Sequence, residues 1–266
     1  MGGKHLAVGL ALVALLGYGL GRGRPIALAP SPAAVEPPAP IDEPPPGRLT
    51  TVPGTEAEVL RALAGPVREE LGAEAERQGL RWPPRRLWLL AFKAERRLEV
   101  WAANRTGAYR LLADYPILAA SGGSGPKRRY GDNQVPEGVY RLGWLNPRSS
   151  YHLGIYVAYP NDEDIEHRLV PREQMGGDIY LHGSSVSIGC LAMGDRAIES
   201  LFYLAGRAEQ RRILIAPCDL RVATPPRGAE PWIDALYARL RSQLAEFSPS
   251  SAAARPPAPN PAPASG

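Results

Sequence analysis

RLWLLAFKAERRLEVWAANRTGAYRLL, from Arg86 to Leu112, is the stretch that decides the fold class. Leu87-Trp88-Leu89-Leu90 is a short apolar run and Leu98-Glu99-Val100-Trp101 is apolar with one polar interruption, the patterns of buried and half-buried strands. Asn104-Arg105-Thr106-Gly107 then reads as a hairpin loop before a third strand at Tyr109-Arg110-Leu111-Leu112. Further strands are expected at 138–143, 152–159, 178–182 and 212–216. Helical spacing appears on either side. Val59, Leu60, Leu63, Val67 and Leu71 mark an amphipathic helix that Pro66 is expected to kink. Ala197, Ile198, Leu201 and Leu204 mark a second helix, and Trp232, Ile233, Leu236, Leu240 and Leu244 a third. A strand meander with helices following and preceding it predicts a mainly β domain with flanking helices (β+α), an antiparallel β domain with helices packed around it.

The 29 prolines of the 266 residues gather at the two ends, which leaves one folded span from about Thr55 to Phe247. Before it, Leu6 to Leu20 is uninterruptedly apolar behind the start amine and Lys4. Fifteen helical residues reach about 22 Å, short of the roughly 30 Å hydrocarbon core, which is the length of a signal-peptide apolar region. Ala27-Leu28-Ala29 is a cleavage candidate, while Arg22 and Arg24 follow the apolar run, so residues 1–29 read as an export signal or an N-terminal membrane anchor. Residues 30–54 are Pro/Ala-rich and read as an extended linker, 55–85 as a helical lead-in, 86–247 as the main domain and 248–266 as a disordered tail. Net charge is +4, from 31 basic and 27 acidic residues, and no run of basic and aromatic residues interleaves. This excludes the usual nucleic-acid signatures. Two cysteines, Cys190 and Cys218, are too few for a disulfide scaffold and form no CxxC pair. Cys218 closes the apolar run Ile213-Leu214-Ile215-Ala216 and reads as a small buried hydrophobe.

Cys190 has a different setting. In Ile179-Tyr180-Leu181-His182-Gly183-Ser184-Ser185-Val186-Ser187-Ile188-Gly189-Cys190 a strand ends on a histidine and a glycine-bounded loop delivers a cysteine. The two lie eight residues apart, too far for one helical turn, so they can meet only through the loop. An imidazole in reach would supply the thiolate that a free thiol lacks at neutral pH. Gly189 lets the chain turn, so that backbone N–H groups beside Cys190 can face a developing oxyanion. Asp195 is placed to N-cap the following helix. The residue types alone also allow a buried cysteine and a structural histidine, and His152 is either a second imidazole near the site or an ordinary strand residue. A metal site built from His152, His182 and Cys190 lacks a fourth ligand at recognisable spacing.

These residues resemble the L,D-transpeptidase (YkuD-like) catalytic domain. His182-Gly183-Ser184-Ser185-Val186-Ser187-Ile188-Gly189-Cys190-Leu191-Ala192-Met193 is similar to the YafK-like branch of that family. So are Ala120 to Lys127, Gly131-Asp132-Asn133-Gln134-Val135-Pro136-Glu137-Gly138-Val139-Tyr140, and Tyr151-His152-Leu153 leading to Tyr159-Pro160-Asn161. The resemblance spans roughly Leu87 to Phe247 and implies a sandwich or barrel-like β domain. It also implies an exported, periplasmic enzyme of cell-wall biogenesis and cell shape, with Cys190 as nucleophile and His182 as base. Gly183, Ser187 and Gly189 would shape the loop, and the N–H groups of Gly189 and Cys190 would form the oxyanion hole. The implied substrate is a peptidoglycan stem peptide, whose carbonyl on the L-centre of the diamino acid becomes a thioester and passes to an amine or to water. No metal or organic cofactor is implied, no nucleic acid, and membrane contact only through the N-terminal segment. Two departures bear on the acceptor. Ile188 stands where the family has histidine, and Leu191-Ala192-Met193 where it has arginine or asparagine. Both match the YafK-like branch, which implies hydrolysis at the link to a wall-attached lipoprotein as an outcome beside cross-linking. Gly131, Asp132, Pro136 and Gly138 read as turn scaffold, and Lys127, Arg128 and Arg129 as solvated side chains able to meet stem-peptide carboxylates. The competing reading is a non-catalytic peptidoglycan-binding envelope module.

Overall fold

A computed structural model describes residues 46–247; the expected export signal, the first part of the linker and the C-terminal tail lie outside the described residues. Helix α1 (Glu56–Arg77) starts at a capping box: Thr55 Oγ1 accepts the Glu58 N–H while the Glu58 carboxylate accepts the Thr55 N–H. It buries Val59, Leu63, Val67, Leu71 and Ala75, one face at four-residue spacing. The expected kink at Pro66 does not divide it, and α1 runs through the proline as one element. The carbonyl that Pro66 leaves without its helical partner is that of Ala62, which is exposed, so water can satisfy it.

Nine strands follow the order β3-β2-β1-β9-β5-β6-β7-β8-β4, a mixed sheet curled into an open half-barrel. They are β1 (Arg86–Phe92), β2 (Arg97–Ala103), β3 (Tyr109–Pro116), β4 (Ala119–Ala120), β5 (Gly138–Asn146), β6 (Gly154–Val157), β7 (Tyr180–His182), β8 (Leu191–Ala192) and β9 (Gln210–Ala216). The three remaining helices are α2 (Asp162–Glu166), α3 (Asp195–Arg207) and α4 (Pro231–Leu244). The expected β+α class therefore stands. Within it, most pairs are antiparallel, but β1–β9 and β7–β8 are parallel. β1 and β9 are far apart in the chain, as parallel pairing usually requires, whereas β7 and β8 are joined by only the eight-residue loop 183–190.

Strand β1 explains why its sequence is apolar without alternation. Leu87, Leu89 and Ala91 pack on the side of α1 and α3, whereas Trp88, Leu90 and Phe92 pack on the side of α4. A strand buried on both faces needs no polar face. The hairpin loop is as expected: Asn104 Oδ1 accepts the N–H groups of Thr106 and Ala108, and Gly107 takes φ +94°. Cys218 is buried in the α4-side cluster as a free thiol, and burial pushes its pKa up to about 11.

The described end of the expected linker, Pro46–Gly54, is packed rather than free. Glu199 of α3 is fully buried and accepts the N–H groups of Arg48 (2.7 Å) and Leu49 (2.9 Å) together with His152 Nε2 (2.9 Å). Removing this carboxylate would strand all three donors. Glu199→Ala is expected to cost about 3–5 kcal/mol of stability, read as a drop in the denaturant midpoint at unchanged slope. A loss under about 1 kcal/mol would show that the segment is not held there.

Candidate active site

The site is built where β7 ends. His182 is the last residue of β7 and is nearly fully buried. Gly183 follows where a side chain has no room: a Cβ would lie 2.5 Å from Asp195 Oδ1 and 2.7 Å from the Tyr151 carbonyl oxygen. The chain then turns through Ser184 (φ +61°), crosses an exposed loop, and returns through Gly189 (φ +99°) to Cys190, directly before β8. Leu181 pairs with Leu191 and His182 with Ala192 in parallel register, and Leu181 and Leu191 point into the core. Period-two alternation therefore puts Cys190 and His182 on the same, opposite face, on neighbouring strands.

Helix α3 braces this turn. Asp195 was expected as its N-cap, but Gly194 holds that position at φ +76° and Asp195 is the first helical residue. The Asp195 carboxylate instead accepts the Ser184 N–H at 2.8 Å, and the Gly194 N–H donates to the Ser184 carbonyl at 3.0 Å. As the first helical residue rather than the N-cap, Asp195 turns its carboxylate to the loop at Ser184.

The two reactive side chains each have a defined partner. Nδ1 of His182 lies 2.6 Å from the Gly183 carbonyl oxygen, an acceptor, so Nδ1 carries the proton and Nε2 is left basic. Burial lowers the His182 pKa, against the opposing pull of that carbonyl. Cys190 Sγ donates to the Asp178 carbonyl at 3.5 Å. Burial raises its pKa, the charge of Asp178 adds to this, and the Tyr180 backbone and Lys127 act the other way. Among the described residues, neither of these hydrogen bonds joins the thiol to the imidazole. Both shifts favour the neutral pair at rest. Alkylation of Cys190 by iodoacetamide, followed by peptide mapping, is therefore expected to keep rising from pH 7 through about pH 9. A plateau reached by pH 7 would mean a resting thiolate.

The remaining sequence-predicted residues fall as follows. Ser187 Oγ accepts the Cys190 N–H (3.0 Å) and donates to the Cys190 carbonyl (2.6 Å), while the Gly189 N–H donates to Ser121 Oγ (2.5 Å). The two N–H groups expected to line an oxyanion hole are thus held by serine hydroxyls. Ser121 reaches the Gly189 N–H because β4 pairs with β8, Ala120 opposite Leu191. His152 is close in space, its Cβ 2.9 Å from where a Cβ on Gly183 would lie, but turned away: at φ +69° its ring faces Glu199, whose hydrogen bond raises its pKa. It is not part of a strand. Tyr151, not singled out by residue type, packs against the His182 ring at a tilt of 34°, with centroids 4.7 Å apart. The only sequence signal for it is its place in Tyr151-His152-Leu153.

Lys127 was expected to be solvated and is buried: Nζ donates to the Asp132 carboxylate (2.7 Å) and the Arg129 carbonyl (2.8 Å). Asp132 also accepts the N–H groups of Arg128, Arg129 and Gln134, so its turn is the scaffold expected, and the lysine is its counter-ion. Arg128 is likewise drawn in, paired with Glu230 at 2.5 Å, and only Arg129 stays exposed. Ile188, on the loop rim, is 82% exposed. Among the described residues no group of three or more His, Cys, Asp or Glu is placed to hold a metal ion, and no helix is long and apolar enough to cross a membrane.

Residues 86–213 match the YkuD family model, described as the L,D-transpeptidase catalytic domain. Among individual proteins, the chain is 37% identical over 118 residues to YafK of Escherichia coli (strain K12) and to YafK of Escherichia coli O157:H7. The match covers 44% of this chain and 46% of each relative, so the chain spans about half the length of the curated relatives it matches. Among solved structures, the helical cell shape determining protein Pgp2 of Campylobacter jejuni aligns at TM-score 0.42 with 19% identity, over 65% of this chain and 60% of that one. Bd1075 of Bdellovibrio bacteriovorus aligns at TM-score 0.39 with 22% identity, over 61% and 55%.

Proposed function

We propose that this chain is a cysteine-dependent peptidoglycan peptide enzyme of the bacterial envelope. Cys190 Sγ attacks the carbonyl on the L-centre of the diamino acid in a stem peptide, and its proton passes to His182 Nε2. The tetrahedral intermediate collapses with loss of the amine, which takes that proton, and leaves a thioester on Cys190. An amine or a water then attacks the thioester and restores the thiol, giving a cross-link or a hydrolysed product. The single observation that supports this reading most is the β7–β8 register, which sets thiol and imidazole on one face while Gly183 fixes the imidazole tautomer. In this scheme the Gly189 and Cys190 N–H groups leave Ser121 and Ser187 for the oxyanion, as preorganised donors.

The same reading takes in the finer expectations. The chain would be exported and periplasmic, held through residues 6–20 or released by cleavage, with kinship to the YafK-like branch and a wall-attached lipoprotein as an acceptor-side partner. The alternative is a non-catalytic wall-binding module, and one observation bears on it: thiol and imidazole share no hydrogen bond at rest. Catalytic hydrogen bonds often tighten only with substrate present, so this does not weigh against activity. Incubation with muropeptides, with and without lipopeptide, and mass spectrometry of the products tests the proposal. New cross-links or released peptides support it and tell transfer from hydrolysis; intact substrate in every mixture refutes it.

A further inference from the structure

We propose that Trp144, Tyr156 and Tyr180 form a platform for a pyranose ring of the peptidoglycan glycan strand, on the face that carries Cys190. This inference rests on the stem-peptide reading of Cys190 and extends it to the sugar from which the stem hangs.

The three rings come from adjacent strands. Tyr156 pairs with Tyr180 across β6–β7, and Gly154 with His182, so both tyrosines share the face of His182 and Cys190. Trp144 joins them through an irregularity in β5. The β5–β6 register slips between Leu142 and Leu145, so that Gly143 and Trp144 together oppose Tyr156. Such a bulge re-aims a side chain, and here it swings Trp144 out while Leu142 and Leu145 stay in the core. Gly143 is needed for the same arrangement, because a Cβ there would lie 2.7 Å from the Tyr156 ring. The result is a contiguous aromatic surface: Trp144 stacks on Tyr156 (6.1 Å, 24°) and meets Tyr180 edge-on (5.5 Å), and Tyr156 meets Tyr180 at 5.5 Å. Trp144 is 53% exposed.

The chemistry of the surface selects its occupant. Aromatic faces carry the negative side of a quadrupole and attract the outward C–H bonds of a sugar ring, whose hydroxyls remain in water. The carboxylates of a stem peptide are repelled by the negative ring faces, and its diamino-acid ammonium, which such faces do attract, belongs to the residue held at Cys190. Spacing points the same way. Trp144 stands three strands from Cys190, about 14 Å across the sheet. From the attacked carbonyl back to the start of the stem is three residues, at most about 11 Å when extended. The lactyl group that joins peptide to sugar then brings the ring to the platform.

Calorimetric titration of the full chain with peptide-free glycan oligosaccharide tests this directly. The parent and Cys190→Ala are expected to bind alike, Trp144→Ala about tenfold more weakly, and Trp144→Phe in between. Labelling of Cys190 by a thiol probe is expected to be unchanged in Trp144→Ala, which shows that the fold is intact. If that variant does not fold, Trp144→Phe and Tyr156→Ala carry the comparison. No binding by the parent, or equal binding by the ring variants, overturns the platform. Because this glycan has no stem-peptide bond, the outcome is independent of whether Cys190 is a nucleophile.

Discussion

Cys190→Ala is expected to bring stem-peptide turnover down to the buffer background while leaving stability within about 1 kcal/mol of the parent. The physical reason is that every step of the proposed reaction passes through the sulfur. Alanine cannot form the thioester, and water delivered by the same imidazole would meet a site arranged for an attacking group covalently fixed at the start of β8. The small structural cost follows from the side chain's surroundings. Cys190 is half-buried, its backbone is held independently by Ser187, and its sulfur makes only a weak contact to the Asp178 carbonyl. Turnover by chromatography and the denaturant midpoint, taken on the same preparation, check both halves. Residual turnover within tenfold of the parent would remove the nucleophile from the account.

His182→Ala is expected to lower turnover by about 10²–10⁴-fold, the usual worth of a positioned general base. The pH dependence carries more information than the size of the loss. His182 titrates below the ordinary histidine value because it is buried, so it is neutral and basic at pH 7. In the parent, kcat/KM should rise as His182 loses its proton, with the midpoint on the acid side of about 6.5. In His182→Ala the thiol must ionise unaided, and burial pushes that ionisation upward. The rise should therefore move to alkaline pH, toward or beyond the ordinary thiol value of about 8.5. A variant that kept the acid-side midpoint would show that another group is the base. Glu199→Ala would not mimic it, since Glu199 meets His152 and the backbone of Arg48 and Leu49, none of which reaches the thiol.

Much of this was legible in the chain. The strands from Arg86 to Leu112 were readable because their patterns run over several residues and their loop has one dominant residue, Asn104. Strands β4 and β8 were not, because two residues carry no period; yet β8 is the element that fixes Cys190 beside β7 and brings Ser121 to Gly189. The histidine and cysteine stood out by type and spacing, and the resemblance gave them roles. What spacing could not give was direction. His152 looks like a candidate by composition, but its left-handed backbone turns the ring to Glu199 and leaves Tyr151 against His182. Lys127 reads as a surface charge until the Asp132 turn closes around it. The aromatic platform was equally hidden, since Trp144 reaches that face only through a bulge that alternation does not announce.

The central claim is a covalent acyl group on Cys190. Rapid acid quenching of the full chain with a stem tetrapeptide, followed by intact mass spectrometry and peptide mapping, reads it directly. The account predicts an adduct of acyl mass on the peptide containing Cys190, labile to hydroxylamine as a thioester is, and absent from Cys190→Ala. Turnover of the same peptide by Cys190→Ala at the parent's rate, or an adduct mapped to any other residue, would contradict it.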